Sequence, residues 1–307
     1  MQDLTETIST TKKRRPIISI IISSDNDADI LERCMTSLLD LKKDTRNVEF
    51  VIINNYIENE NKANEIKYLV NRFNNSNLIY YQSHYRLTSA QQKNLGIDFS
   101  KGSWLYFIDY REIATPKFVA FLNTFKFNLQ NGFYRVPILN EKRKKQRIGL
   151  IKTKYFSDLP SSIILNEEYM EKIKLRWESG LTNNETLLFL DKLYSSRNVN
   201  FVYLKKNYSV IHNFHNDYKE SELNDIEEIK KTYKALINQH KRNYKQFIIV
   251  MLFNYFQRNK KAKDFKINKF PEIKLMLKSS KIGFKNYFPL GPKLYFKTLG
   301  FKWKCLF

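Results

Sequence analysis

Polar residues able to do chemistry gather where three apolar runs stop. Ser23, Ser24, Asp25 and Asn26 follow the first run, Asn54, Asn55 and Tyr56 the second, and Asp109, Arg111 and Glu112 the third. The carboxylates of Asp109 and Glu112 are oxygen donors of the kind a hard divalent cation takes. Arg111 stands between them, and a guanidinium repels such a cation while gripping phosphate oxygens bidentately itself. Three outcomes stay open there: a cation held through Asp109 and Glu112, Arg111 acting in the cation's place, or a site that holds neither. Asn55 carries an amide, which accepts and donates at once. Each strand-end group also has a plain reading as a turn, where Asn and Asp are favoured for backbone reasons alone.

The elements that must position these groups alternate in type. Ile17–Ser23 is a continuous β-branched run, as expected for a strand covered on both faces. Ile30, Leu31, Cys34, Leu38 and Leu41 recur at helical spacing over 27–41, which makes Cys34 a core residue. Strands are predicted at Val48–Ile53, Leu78–Tyr81 and Trp104–Ile108, and helices at Lys62–Phe73 and Ser89–Phe99. Thr115-Pro116 opens a further helix, with Thr as cap and Pro at the first helical position. Phe133–Pro137 is a fifth strand, and Glu185–Tyr194 and Phe201–Leu204 a later helix and strand. Strand and helix in alternation imply a parallel sheet of βαβ units. Ligands bind such sheets beyond the carboxyl ends of the strands, where Ser23–Asn26, Asn54–Tyr56 and Asp109–Glu112 lie.

Composition narrows the class. With 42% hydrophobic residues, 15% aromatics and only 8 Gly and 7 Pro, the chain is folded and is not a turn-dense β-sandwich. Its two cysteines, Cys34 and Cys305, form no disulfide framework and suit a reducing cytoplasm. The longest late apolar stretch, Phe247–Phe256, covers about half a membrane span, so no transmembrane helix is expected. The net charge of +22 is uneven: residues 241–307 hold 17 Lys/Arg against Asp264 and Glu272 alone. Any anionic partner is therefore sought in the C-terminal region.

Taken in order, these segments resemble the inverting GT-A glycosyltransferases of family two. The helix Leu31-Glu32-Arg33-Cys34-Met35-Thr36-Ser37-Leu38-Leu39 matches the family's opening helix closely. Gln92-Lys93-Asn94-Leu95-Gly96-Ile97, followed by Lys101-Gly102, is the strongest single match. Asp109-Tyr110-Arg111-Glu112-Ile113-Ala114-Thr115-Pro116 stands where the family carries its metal motif. Glu185-Thr186 before Leu187-Leu188-Phe189 stands where it carries a Glu-Asp pair.

The resemblance implies an α/β fold, a Rossmann-like GT-A domain with a mostly parallel sheet over 16–215. Its nucleotide-binding half is 16–135 and its acceptor half 136–215, with a helical, basic region at 216–307. It implies transfer of a sugar from a nucleotide-diphosphate donor to a glycan, glycolipid or glycoprotein in cell-surface polysaccharide or glycoconjugate synthesis. It puts Ser23, Asp25, Asn55, Lys93 and Arg111 on the nucleotide, with Asn55 in place of the acid that meets uracil, so that base choice can differ. It puts Asp109, with Glu112 as the substitute acid, on a divalent cation (Mg or Mn). Thr186 replaces the family's catalytic Asp. A hydroxyl is no base at neutral pH, which leaves Glu185 as the base, with His212 and His215 as alternatives. Amides or other groups replace acids at Asn54, Asn55, Arg111 and Thr186. The resemblance therefore also admits a non-catalytic partner of another glycosyltransferase.

Residues 281–307 interleave Lys281, Lys285, Lys293, Lys297, Lys302 and Lys304 with aromatic residues such as Phe284, Tyr295 and Trp303. That pattern suits an anionic headgroup layer, so docking on the inner face of the membrane, near a lipid-linked acceptor, is expected. The alternative is a basic helical cap. No nucleic-acid-binding motif accompanies the charge, and no nucleic-acid partner is expected.

Overall fold

The structure is a computed structural model that describes residues 16–39, 47–73, 77–128, 130–140, 160–181, 185–196, 200–204, 210–212 and 231–235. His215, Cys305, the apolar stretch 247–256, the tail 281–307 and most of the basic region expected over 216–307 lie outside them. The described residues fall into two compact units. The first takes those up to 140, then 160–179 and 200–212; the second takes 180–181, 185–196 and 231–235. Residues 180–181 and 185–196, expected in the acceptor half, therefore group with the second unit.

The first unit is built on a seven-stranded mixed sheet, the Rossmann-like α/β arrangement of a GT-A fold. β1 (Ile18–Ser24), β2 (Val48–Asn54), β3 (Leu78–Gln82) and β4 (Trp104–Asp109) run parallel in the order β3-β2-β1-β4. All seven residues of β1 and of β2 are buried, as a run without polar alternation requires. Between the strands lie α1 (Ala28–Leu39), α2 (Glu60–Arg72) and α3 (Ser89–Phe99). Asp27 accepts from the Ile30 amide and Asn59 caps α2; Thr88 and Gln91 form a reciprocal capping box on α3. Cys34 is buried in the core cluster, as its place in the apolar stripe predicts. β5 (Glu112–Ala114) follows β4 directly, and Thr115 caps α4 (Pro116–Thr124) with Pro116 in its first turn.

In the far half of the sheet two strands stand where the sequence predicts them, near 133 and 201, and the strand between them and β4 is new. After β6 (Phe133–Arg135) and the two-residue β7 (Leu139–Asn140), the chain adds β8 (Ile163–Asn166), α5 (Glu167–Lys172), α6 (Glu185–Ser195), β9 (Phe201–Tyr203) and β10 (Val210–His212). β8 inserts antiparallel between β4 and β6, and β9 closes the edge. β5, β10 and β7 make a second, three-stranded sheet.

Two glycines let α3 and the turn before β4 approach β1 closely. A Cβ on Gly96 would lie 2.2 Å from the Ile21 Cγ2, so at this point α3 lies against β1 only with glycine. A Cβ on Gly102 would meet the Ser19 backbone nitrogen at 2.5 Å. The Gly102 amide donates to the Ser19 hydroxyl, which donates to Glu49; Glu49 also accepts from the Lys101 amide. This buried carboxylate fixes the turn that feeds β4, and β4 delivers Asp109.

Candidate active site

The parallel register brings the sequence-selected groups together. Ser23 of β1 pairs with Asp109 of β4, and Ser24 pairs with Asn54 of β2, all at carboxyl ends. Gln92, at the start of α3, donates to the carbonyls of Ser24 and Ile53 and ties the helix to these ends.

Asp109 and Arg111 form a fork. Arg111 Nε donates to Asp109 Oδ1 at 2.8 Å and Nη2 to Oδ2 at 3.0 Å, and the Arg111 amide also reaches Oδ1 at 3.0 Å. Burial pushes the Asp109 carboxyl up, but the Arg111 contacts and the nearby Lys93 charge outweigh it and hold the group below its usual range. Both partners keep a solvent face, with side chains 35% and 46% exposed.

Glu112 points the other way. It is buried; Oε2 accepts from the Asp109 amide at 2.9 Å and Oε1 from the Ser161 hydroxyl at 2.7 Å. Its carboxylate thus braces the turn after β4 against the segment before β8. The thiol of Cys34 lies behind the same turn, pushed well up by burial and by Glu112 and Asp109. Among the described residues no group of three His, Cys, Asp or Glu side chains could hold a metal ion.

Asn55 is buried and holds the loop after β3. Its Oδ1 accepts from the amides of Leu87 (2.8 Å) and Tyr56 (3.0 Å), and its Nδ2 donates to the Leu87 carbonyl and to Asp25 Oδ1 (both 3.1 Å). Asn54 is bound on both sides, to Asn26 and Gln82. Asn26 takes a left-handed φ of 68°, a conformation Asn tolerates, and its amide group donates to the Tyr56 carbonyl. Asp25 itself is exposed. Burial raises the Tyr110 phenol to about 12, against the nearby Arg111 and with Asp25, Asp109 and Asp27, so it stays a neutral hydroxyl. Tyr110 did not stand out in the sequence.

Lys93 is nearly buried: its Nζ donates to Ser89 and lies 4.6 Å from the Trp177 ring centroid. Asn94 holds the Trp177 backbone with two hydrogen bonds of 2.9 Å, so the strongest sequence match doubles as an anchor for 175–178. His212 sits on β10 opposite Glu112 of β5. Glu185 opens α6 in the second unit and is buried.

Replacing Asn55 by the acid expected at its position is predicted to destabilise the domain by about 1–3 kcal/mol, because Asn55→Asp removes a donor from the buried Leu87 carbonyl and faces a carboxylate to Asp25. Urea unfolding of both proteins at pH 7 measures it; equal stability would show that the amide's two donor bonds are unimportant.

Residues 19–162 match the family model described as Glycosyl transferase family 2. Over those residues the chain is similar to family-2 glycosyltransferases. No curated protein matches the chain in sequence. Among solved structures, the chain is similar to TarS 1-349 of S. aureus in complex with UDP-GlcNAc. The identity is 12% and the TM-score 0.64, over 90% of this chain and 82% of that one. It is also similar to the mannosyltransferase PcManGT of Pyrobaculum calidifontis in complex with GDP-Man and Mn2+. There the identity is 10% and the TM-score 0.51, over 95% and 77%. At such identities the likeness speaks for the fold alone.

Proposed function

We propose that this chain transfers a glycosyl group from a nucleotide-diphosphate sugar to a hydroxyl of a glycan, glycolipid or glycoprotein during cell-surface polysaccharide or glycoconjugate synthesis. The observation that carries the reading is the convergence of Ser23, Asp25, Asn55, Asp109 and Arg111 at the carboxyl ends of three parallel strands, where such sheets bind ligands. The solved neighbours bind UDP, UDP-GlcNAc and GDP-Man, which supports a nucleotide-sugar donor.

In this reading Ser23 and Asp25 face the base, and Asn55 shapes that pocket by holding Leu87 and orienting Asp25. Lys93 and Arg111 supply positive charge to the diphosphate. The acceptor oxygen attacks the anomeric carbon, the bond from that carbon to the diphosphate breaks, and the nucleoside diphosphate leaves with the bonding pair. The acceptor's proton passes to Glu185 as general base. Thermal-shift and hydrolysis assays with UDP-, GDP- and CDP-sugars test the assignment. Stabilisation by one of them with slow hydrolysis is expected, and silence with all of them would sink it.

A second reading has one observation of its own. Asp109, the acid retained from the family motif, is spent on Arg111, as in a donor-binding partner that supports another glycosyltransferase. That protein would bind nucleotide without turnover and co-purify with a catalytic subunit.

No helix among the described residues is long and apolar enough to cross a membrane. We place the protein at the inner face of the membrane through 281–307, since each lysine near an anionic surface contributes about 1 kcal/mol. Deleting 281–307 is expected to abolish sedimentation with anionic liposomes at low salt. Unchanged binding would make the tail a structural cap.

A further inference from the structure

We infer that this site works without a divalent cation and that the Arg111 guanidinium takes the cation's position against the donor diphosphate. The inference rests on the donor reading above and adds which charge neutralises the leaving group.

The residues at the family's metal position do not fit a hard cation. Such an ion needs several oxygen ligands turned to one point. Asp109 offers two oxygens, and Arg111 occupies both in a planar fork at 2.8 and 3.0 Å. Glu112 is the acid that could replace the missing ligand, and it is turned into the domain. One oxygen is committed to the Asp109 amide and the other to Ser161, with 2% of the residue exposed. Recruiting Glu112 to an ion would break both bonds and undo the turn that aims Asp109. The charge balance points the same way. A paired carboxylate and guanidinium sum to zero, and Lys93 adds a further positive influence on Asp109. The Asp109–Arg111 pair by itself offers a divalent cation no net negative charge.

An anion meets the opposite situation. The Arg111 side chain is 46% exposed, and its guanidinium carries donors in a fork that matches phosphate oxygens. A solvent-facing ion pair is weak on balance, so a diphosphate can compete with the single carboxylate or share the guanidinium with it. Asp109 is then a positioning residue. It holds Arg111 at the strand end by three hydrogen bonds before the donor arrives. Tyr110, kept neutral and lying beneath Arg111 with its ring centroid 5.6 Å from the guanidinium carbon, supports the same orientation.

The test uses the full chain and two probes read separately. Titration calorimetry with UDP and with GDP is run in EDTA and in Mn2+, and Mn2+ binding alone is followed by electron paramagnetic resonance. Wild type is expected to bind its nucleotide with the same affinity in both buffers, within about twofold, and to leave the Mn2+ spectrum unchanged. Arg111→Ala should weaken nucleotide binding about 10- to 100-fold, the loss of a charged hydrogen-bonding partner, with no rescue by Mn2+. Arg111→Asp should gain Mn2+ binding. A tenfold or greater gain in wild-type affinity on adding Mn2+, unchanged binding by Arg111→Ala, or failure of Arg111→Asp to capture Mn2+ overturns the inference. If neither nucleotide binds under any condition, the donor reading falls. The Mn2+ spectra then still decide the cation: a bound ion in wild type refutes its exclusion, and capture only by Arg111→Asp upholds it.

Discussion

Trp104→Ala is expected to be the most destabilising single truncation in the first unit, at about 3–5 kcal/mol. Trp104 opens β4 and is 1% exposed. Its ring stacks on Phe127 at 5.0 Å and tilts against Tyr134 at 5.1 Å, and Phe125 packs edge-on to both of those rings. Truncation leaves a cavity ringed by aromatic side chains that cannot collapse into it, and forfeits two ring pairs worth about 0.5–1.5 kcal/mol each beyond area burial. At about 2–4 °C per kcal/mol for a unit of this size, the melting temperature falls by roughly 6–20 °C. Urea unfolding followed by far-UV circular dichroism measures the loss, with Trp104→Phe as the milder control because it keeps a ring in the stack. A loss below about 1 kcal/mol, smaller than ordinary large-to-small core changes, would mean that the aromatic group does not hold β4. The consequence reaches the site, since β4 is the strand that carries Asp109.

How much of this was legible follows from which interactions are local. β1, β2 and β4 are mostly apolar runs bounded by polar turns, broken only by Ser19 and Glu49 before their ends, and the helices announce their caps at Asn59, Thr88 and Thr115. Parallel topology then places Ser23, Asn54 and Asp109 side by side without further information. The fork between Arg111 and Asp109 was also within reach, because it joins residues two apart. β8 was not: Ile163–Asn166 is four residues long, too short for periodicity to separate a strand from a helix. Its antiparallel place beside β4 depends on pairing across some sixty residues of chain. For the same reason the sequence could offer Glu112 as a ligand. Only the contact with Ser161, 49 residues away, turns its carboxylate inward. Asn55 is similar, since its attachment to Leu87 spans 32 residues. Strand ends are local signals, whereas the bonds that turn Glu112 and Asn55 inward are made across the chain.

Glu185→Gln is expected to cost far more in rate than in stability, and this asymmetry separates the two functional readings. Glu185 begins α6 and is 7% exposed; Thr186, next to it, has no group that takes a proton at neutral pH. Glutamine keeps the shape and much of the hydrogen bonding of glutamate and cannot accept the acceptor's proton. If Glu185 is the base, kcat falls by about 10²–10⁴, which is roughly 3–5 kcal/mol of barrier. Donor affinity and melting temperature stay near wild type. If Glu185 is only an acid in the first turn of a helix, its loss removes a favourable contact with the helix dipole worth about 0.3–1 kcal/mol. Stability then slips by a few degrees and kcat is unchanged. Single-turnover assays on a radiolabelled donor, with calorimetry on the same protein, read both quantities. Turnover within about threefold of wild type, less than any general base supplies, removes Glu185 from the chemistry. A wild-type chain that binds donor and never turns over leaves only the partner reading, in which Arg111 still grips the diphosphate but no residue takes the proton.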